Sequence, residues 1–162
     1  MTILAVQNYV QGCVDGLIVP GYPEPLKAFV KAPTPGTATL AQPMAFVWGG
    51  MGSQSRTTLP RGPGWKGTDH TVSIWIYGLE LANLDPPVSY FPSVLQTIVR
   101  ALSTAKPMPA QLIDTQTGDP SYLMNLGENI TWEYDVDRTM ADQRIVRNLC
   151  HMEAAALEEF NA

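Results

Sequence analysis

The sharpest constraint on this chain is a run of strict alternation near its C-terminal end. Ile130, Trp132, Tyr134 and Val136 are separated by Thr131, Glu133, Asp135 and Asp137. Successive side chains of an extended strand point to opposite faces, so a period of two gives one apolar side and one polar side. A helix would scatter the same residues around its circumference. A second run, His70–Tyr77, alternates Val72, Ile74 and Ile76 with Thr71, Ser73, Trp75 and Tyr77. Its β-branched and aromatic residues suit a half-buried strand. Strands with one apolar face need a cover, which points to an antiparallel sheet packed on one side.

The cover is legible as two helices. Ile3, Val6, Val10, Cys13/Val14 and Leu17 follow a 3.6-residue period, with Thr2 placed to cap them. Phe91, Leu95, Ile98 and Leu102, widened by Val94 and Val99, form the stronger stripe. Ser89 precedes it as a cap, Pro92 falls in the first turn where its missing N–H costs little, and Pro107 ends it. Further strands are expected at Leu26–Lys31, Met44–Trp48, from Leu112 and Ile113, and over Arg144–Met152. The stretch Glu153–Phe160, rich in Ala, Glu and Leu, reads as a short terminal helix. The chain is therefore expected to be a single α+β domain over residues 1–162. Two helices would pack on one side of a mainly antiparallel sheet, with a long Gly/Pro-rich inter-strand loop at Gly49–Gly67.

With 162 residues there is room for one core, and an apolar content of 45% is enough to build it. Charged residues make up only 15%, against roughly 25% in an average soluble domain. So low a content suits a subunit that buries surface against neighbours. The net charge of −5 is uneven: five bases and four acids lie up to Leu81, five bases and eleven acids from Ala82 onward. An acidic balance argues against tight wrapping of nucleic acid, whereas opposite poles suit head-to-tail contacts. No basic leader and no apolar run near the roughly 20 residues of a membrane span is read, so neither secretion nor membrane insertion is expected.

Chemistry is sparse. Gly62-Pro63-Gly64-Trp65-Lys66-Gly67 matches G-x-G-x-x-G in letters, but a strand follows where phosphate binding needs a helix. Cys13 and Cys150 fit no zinc spacing, and Cys150 and His151, being adjacent on a strand, face opposite sides. His70 reads as a strand-start residue at an interface. Glu133, Asp135 and Asp137 share a strand face, where they would be solvated or meet Arg138, Arg144 or Arg147. An acid site of Asp135, Asp137 and His151 is the enzymatic alternative, and no catalytic residue, metal or cofactor is expected. The Gly49–Gly67 loop holds Arg56, Arg61, Trp65 and Lys66 and no acid, a basic arm with one aromatic anchor. A monomeric module gripping a peptide or glycan with that loop is a further alternative.

The order of elements, and the segments HTVSIWIY at 70–77, YFPSVLQTIVRALS at 90–103 and LMNLGENITWEY at 123–134, resembles tail-terminator proteins of long-tailed bacteriophages. The resemblance implies a structural virion protein, not an enzyme. It would be made in the host cytoplasm and built into the tail or neck of the virion as a hexameric homo-oligomeric ring. Such a ring caps the tail tube protein and meets neck and head-completion proteins, and DNA passes through its lumen without specific binding. On this reading Arg56, Arg61, Trp65 and Lys66 are docking residues for a neighbouring subunit or the tube. Glu133, Asp135 and Asp137 face the lumen and repel DNA. Another head–tail connector or neck component is the nearest alternative.

Overall fold

The computed structural model describes residues 3–55, 65–81, 90–104, 110–113, 120–124, 126–137 and 144–161. It is α+β, with helices α1 (Ile3–Val14) and α2 (Phe91–Thr104). The strands are β1 (Lys27–Phe29), β2 (Met44–Ser55), β3 (Trp65–Leu81), β4 (Ala110–Ile113), β5 (Pro120–Met124), β6 (Ile130–Asp137) and β7 (Ile145–Asn161). The strands form one sheet in the order β1-β2-β3-β7-β5-β4, with β6 also paired to β7. All pairings are antiparallel except β1 with β2. β3 and β7 are paired along their full 17-residue lengths and form the spine.

The expected alternation sets the faces. Val72, Ile74 and Ile76 of β3 are buried beside Ala154, Met152 and Cys150 of β7, their register partners. Val6, Val10 and Val14 of α1 join the same cluster, as do Phe91, Val94, Ile98 and Leu102 of α2, so both helices cover one face. Full burial of one such side chain stabilises by about 1.5–3 kcal/mol, which lets α1 tolerate its weak propensity at Gly12. The start of α2 is held from the sheet. Glu80 Oε1 accepts hydrogen bonds from the Tyr90 and Phe91 N–H groups at 2.7 and 2.8 Å, satisfying donors that a helix leaves open. The expected Thr2 and Ser89 caps lie outside the described residues.

Two glycines are required by the packing. Gly50 sits at an irregularity between Val47 and Gly50 with φ of 122°, and a Cβ there would overlap the Thr71 carbonyl oxygen. A Cβ on Gly78 would lie 2.9 Å from Phe91 Cδ2 and 2.8 Å from the Tyr22 hydroxyl. β3 therefore leaves room for the first aromatic of α2.

Several expectations need correction. Residues Glu153–Phe160 continue β7 and form no helix. Ala, Glu and Leu favour helices by a few tenths of a kcal/mol each, and pairing with β3 from Trp65 to Leu81 outweighs that. Both flanks of the expected Gly49–Gly67 loop are strand: β2 runs on to Ser55 and β3 begins at Trp65, with Ser55 opposite Gly67. Residues 56–64 lie outside the described residues. α1 ends at Val14, before Leu17, and β1 is trimmed to Lys27–Phe29.

Candidate functional site

The face of the sheet turned away from the helices carries Lys27, Glu133 and Asp135 and the aromatic rings of Phe29, Phe46, Trp75 and Tyr77. Its rows can be followed strand by strand. Lys27 is opposite Met44, Met44 opposite Tyr77, Tyr77 opposite Leu149, and Leu149 opposite Asp135. The adjacent row runs Phe29, Phe46, Trp75, His151, Glu133. The middle of these rows is packed. Met44, Phe46 and Tyr77 are buried with Ala38, and Phe29, Trp75, Leu79 and Leu149 pack against them. Trp75 stacks on His151 with ring centroids 4.0 Å apart and planes 7° from parallel.

The ends of the rows are charged. Lys27 and Lys31 are exposed at the β1 edge, where the Lys31 ammonium lies 4.5 Å from the Phe29 ring centroid and 5.8 Å from that of Phe46. Such a contact holds the cation over the aromatic face without neutralising it. Glu133 and Asp135 are exposed on β6. Asp135 Oδ1 accepts from the Val136 N–H at 2.7 Å, which fixes the carboxylate beside its own strand. Asp137 differs from both, being half-buried with Arg147 3.7 Å away, as the arginine-pairing expectation anticipated.

The three residues of the alternative acid site are not brought together. His151 shares its row with Glu133, so Asp135 is one row away and Asp137 two, about 7 and 14 Å along the strands. The carboxylate that does approach His151 is Glu153, at 3.8 Å from Nε2, beyond hydrogen-bond distance. Glu133, His151 and Glu153, with Thr131 and Trp132, line a cleft of about 300 Å³. Among the described residues no three His, Cys, Asp or Glu side chains are grouped to hold a metal ion. Cys150, on the helix side, has its thiol pushed up to about 12 by burial and stays protonated and unreactive near neutrality.

His70 is placed differently from expectation. It is 6% exposed, and its Nε2 lies 2.7 Å from Oε2 of Glu158, whose side chain is 2% exposed. His70 Nδ1 and Glu158 Oε1 have no hydrogen-bond partner. The pair lies on the helix-side face, where β3 and β7 run beyond Val72 and Ala154. A cleft of about 270 Å³, lined by Asp69, His70, Glu128 and Asn129 among others, opens beside it. The pair is not legible in the sequence, because the composition at Glu153–Phe160 predicts a helix, on which Glu158 has no geometric relation to a strand 88 positions earlier.

Of the candidate docking residues, Arg56 and Arg61 lie outside the described residues. Trp65 begins β3 opposite Asn161, and Lys66, partly buried, follows opposite Phe160. Trp132 and Tyr134, on the apolar side of the alternation, are 51% and 44% exposed, although the Tyr134 ring stacks on Phe91 at 5.4 Å and its hydroxyl donates to Asn148 Oδ1 at 2.7 Å. No described helix is long and apolar enough to cross a membrane. Compared with known proteins, the chain matches no family model and finds no relative of significant similarity among characterised sequences.

Proposed function

We propose that this chain is a structural ring subunit of the phage tail-terminator kind, which caps the tail tube and joins it to the head-side neck. The observation that carries the reading is the β6 edge. Ala155 N–H donates to Asn129 O at 3.0 Å, one step before β6. In an antiparallel ladder the odd-numbered residues of β6 then turn their backbone groups to β7, and Trp132 and Tyr134 turn theirs outward. Among the described residues β6 pairs with β7 alone. It thus presents an eight-residue edge with two exposed aromatics on one side and exposed acids on the other. An edge strand with exposed aromatics is a liability in a lone monomer and an asset in an assembly, and the acids beside them restrict what can dock there.

The sparse charge and the resemblance in element order support the same reading. Within it, Arg56, Arg61, Trp65 and Lys66 grip a neighbouring subunit or the tube. The test is direct. Light scattering and electron microscopy of the purified protein should give a closed ring, alone or on tail tubes, and added protein should stop tube growth. The Trp65→Ala, Arg61→Ala double variant should keep the circular dichroism of the parent and lose assembly. A chain that is monomeric at every concentration, and also with tubes present, refutes the proposal. Rings that form yet leave tube growth unchanged point to another neck component.

A further inference from the structure

The two rows on the helix-free face end in opposite charges at opposite edges of the sheet, and they do so at the same level. Lys27 and Asp135 terminate one row. Phe29, with the Lys31 ammonium over its ring, and Glu133 terminate the next. Five strands at roughly 4.8 Å spacing put about 19 Å between the edges, too far for the charges to satisfy one another within a chain. Nor are they satisfied locally. Among the described residues Lys27 and Lys31 have no carboxylate partner, and Glu133 and Asp135 have no cationic one. The third acid of β6, Asp137, already has Arg147.

We infer that Lys27 and Lys31 of one copy dock against Asp135 and Glu133 of the next, making the β1 and β6 edges the two halves of a head-to-tail seam. The inference rests on the ring reading and names the surfaces that close the ring. Two different patches on one subunit, repeated with a constant rotation, generate a ring when the rotation closes. Matching levels on one face mean that the neighbour needs no slide along the strands for both rows to meet. The seam is made by side chains and not by added strand pairing, because the outer side of β1 is already occupied. Ala28 N–H donates to Asp15 Oδ1 at 2.8 Å, and Gln11 Nε2 donates to Ala28 O at 3.0 Å, both from the α1 side. These bonds blunt the edge against indiscriminate strand addition while leaving the lysines exposed. Glu133 and Asp135 thereby belong to the subunit boundary, in place of the open lumen wall.

Charge exchange tests this. Lys27→Glu with Lys31→Glu makes both edges acidic, and Glu133→Lys with Asp135→Lys makes both basic. Each double variant should keep native near-ultraviolet circular dichroism and run at monomer mass by light scattering. Mixed one to one, they should recover the wild-type mass, since every seam in an alternating ring then joins opposite charges. Double variants that assemble like wild type overturn the inference and leave the ring reading standing. So does a mixture that stays monomeric while both components are folded. If only the β6 variant loses assembly, a partner other than a second copy's β1 edge occupies β6, and the seam is refuted. A wild-type chain that never assembles, with or without tubes, fails the ring reading itself.

Discussion

Replacing Glu158 by leucine is the most informative single perturbation of the fold. The residue reaches His70 at 2.7 Å, with side-chain exposures of 2% and 6%. Removing the carboxylate leaves an imidazole whose Nδ1 already lacks a partner and whose Nε2 then loses its own. The penalty is that of a buried unsatisfied polar group, about 1–3 kcal/mol. His70→Leu leaves the buried Glu158 carboxyl with no partner on either oxygen, and a loss of similar size is expected. Replacing both by leucine removes both desolvated groups and should return stability to within about 1 kcal/mol of the parent, or above it. Urea unfolding of the four proteins, followed by circular dichroism, closes the cycle. With a urea slope of about 2–3 kcal/mol per molar, Glu158→Leu should move the midpoint down by roughly 0.3–1.5 M. If the double variant is destabilised by the sum of the single changes, the two groups do not interact. The pairing of β7 beyond Met152 would then be wrong at this point.

Leu95→Ala, on the buried side of α2 at 8% exposure, should cost about 2–5 kcal/mol in the same unfolding assay; a change near zero would refute the packing of α2 on the sheet. In the native protein iodoacetamide at pH 8 should label Cys13, which is half-exposed, and leave Cys150 untouched until denaturant is added. Because the folded Cys150 thiol is raised from 9.0 to about 12 by burial, its contribution is present below pH 9 and lost as pH rises toward 12. Burial, reinforced by Glu80 and then Tyr134, raises Tyr22 as well, so the unfolding midpoint should fall over that alkaline range. Cys150→Ala should flatten the part of the fall that belongs to the thiol.

The helices and the central strands were legible because their signal is local. Phe91, Leu95, Ile98 and Leu102 carry their period within four turns, and Val72, Ile74 and Ile76 theirs within five residues. What escaped depended on a distant partner. Glu153–Phe160 has the composition of a helix and becomes strand because β3 offers it a full-length edge. Gly49–Ser55 looked like loop because glycine and serine are poor strand formers, yet the ladder from Gly50–Val72 to Ser55–Gly67 carries it. β5 escaped because its Pro120 argues against a central strand, while a proline at the first residue of a strand is tolerated. For the site, the sequence did single out Glu133, Asp135 and Asp137, and it foresaw an arginine partner. Lys27 and Lys31 fall on the expected strand Leu26–Lys31, but their relation to those acids exists only once five strands are in register.

The full-length pairing of β3 with β7 also sets the order of events at birth. Its contacts join residues separated by 64 positions (Leu81 to Ile145) up to 96 (Trp65 to Asn161). Contacts so far apart close late, because the intervening loop entropy is lost before they form. On a ribosome adding about 5–20 residues per second, β3 therefore waits about 3–20 s for its partner. During that interval a 17-residue strand offers an open backbone edge to any other nascent copy. Crowded translation raises that hazard. Misassembly should track the residence time of β3 without β7 more closely than the stability of the finished subunit.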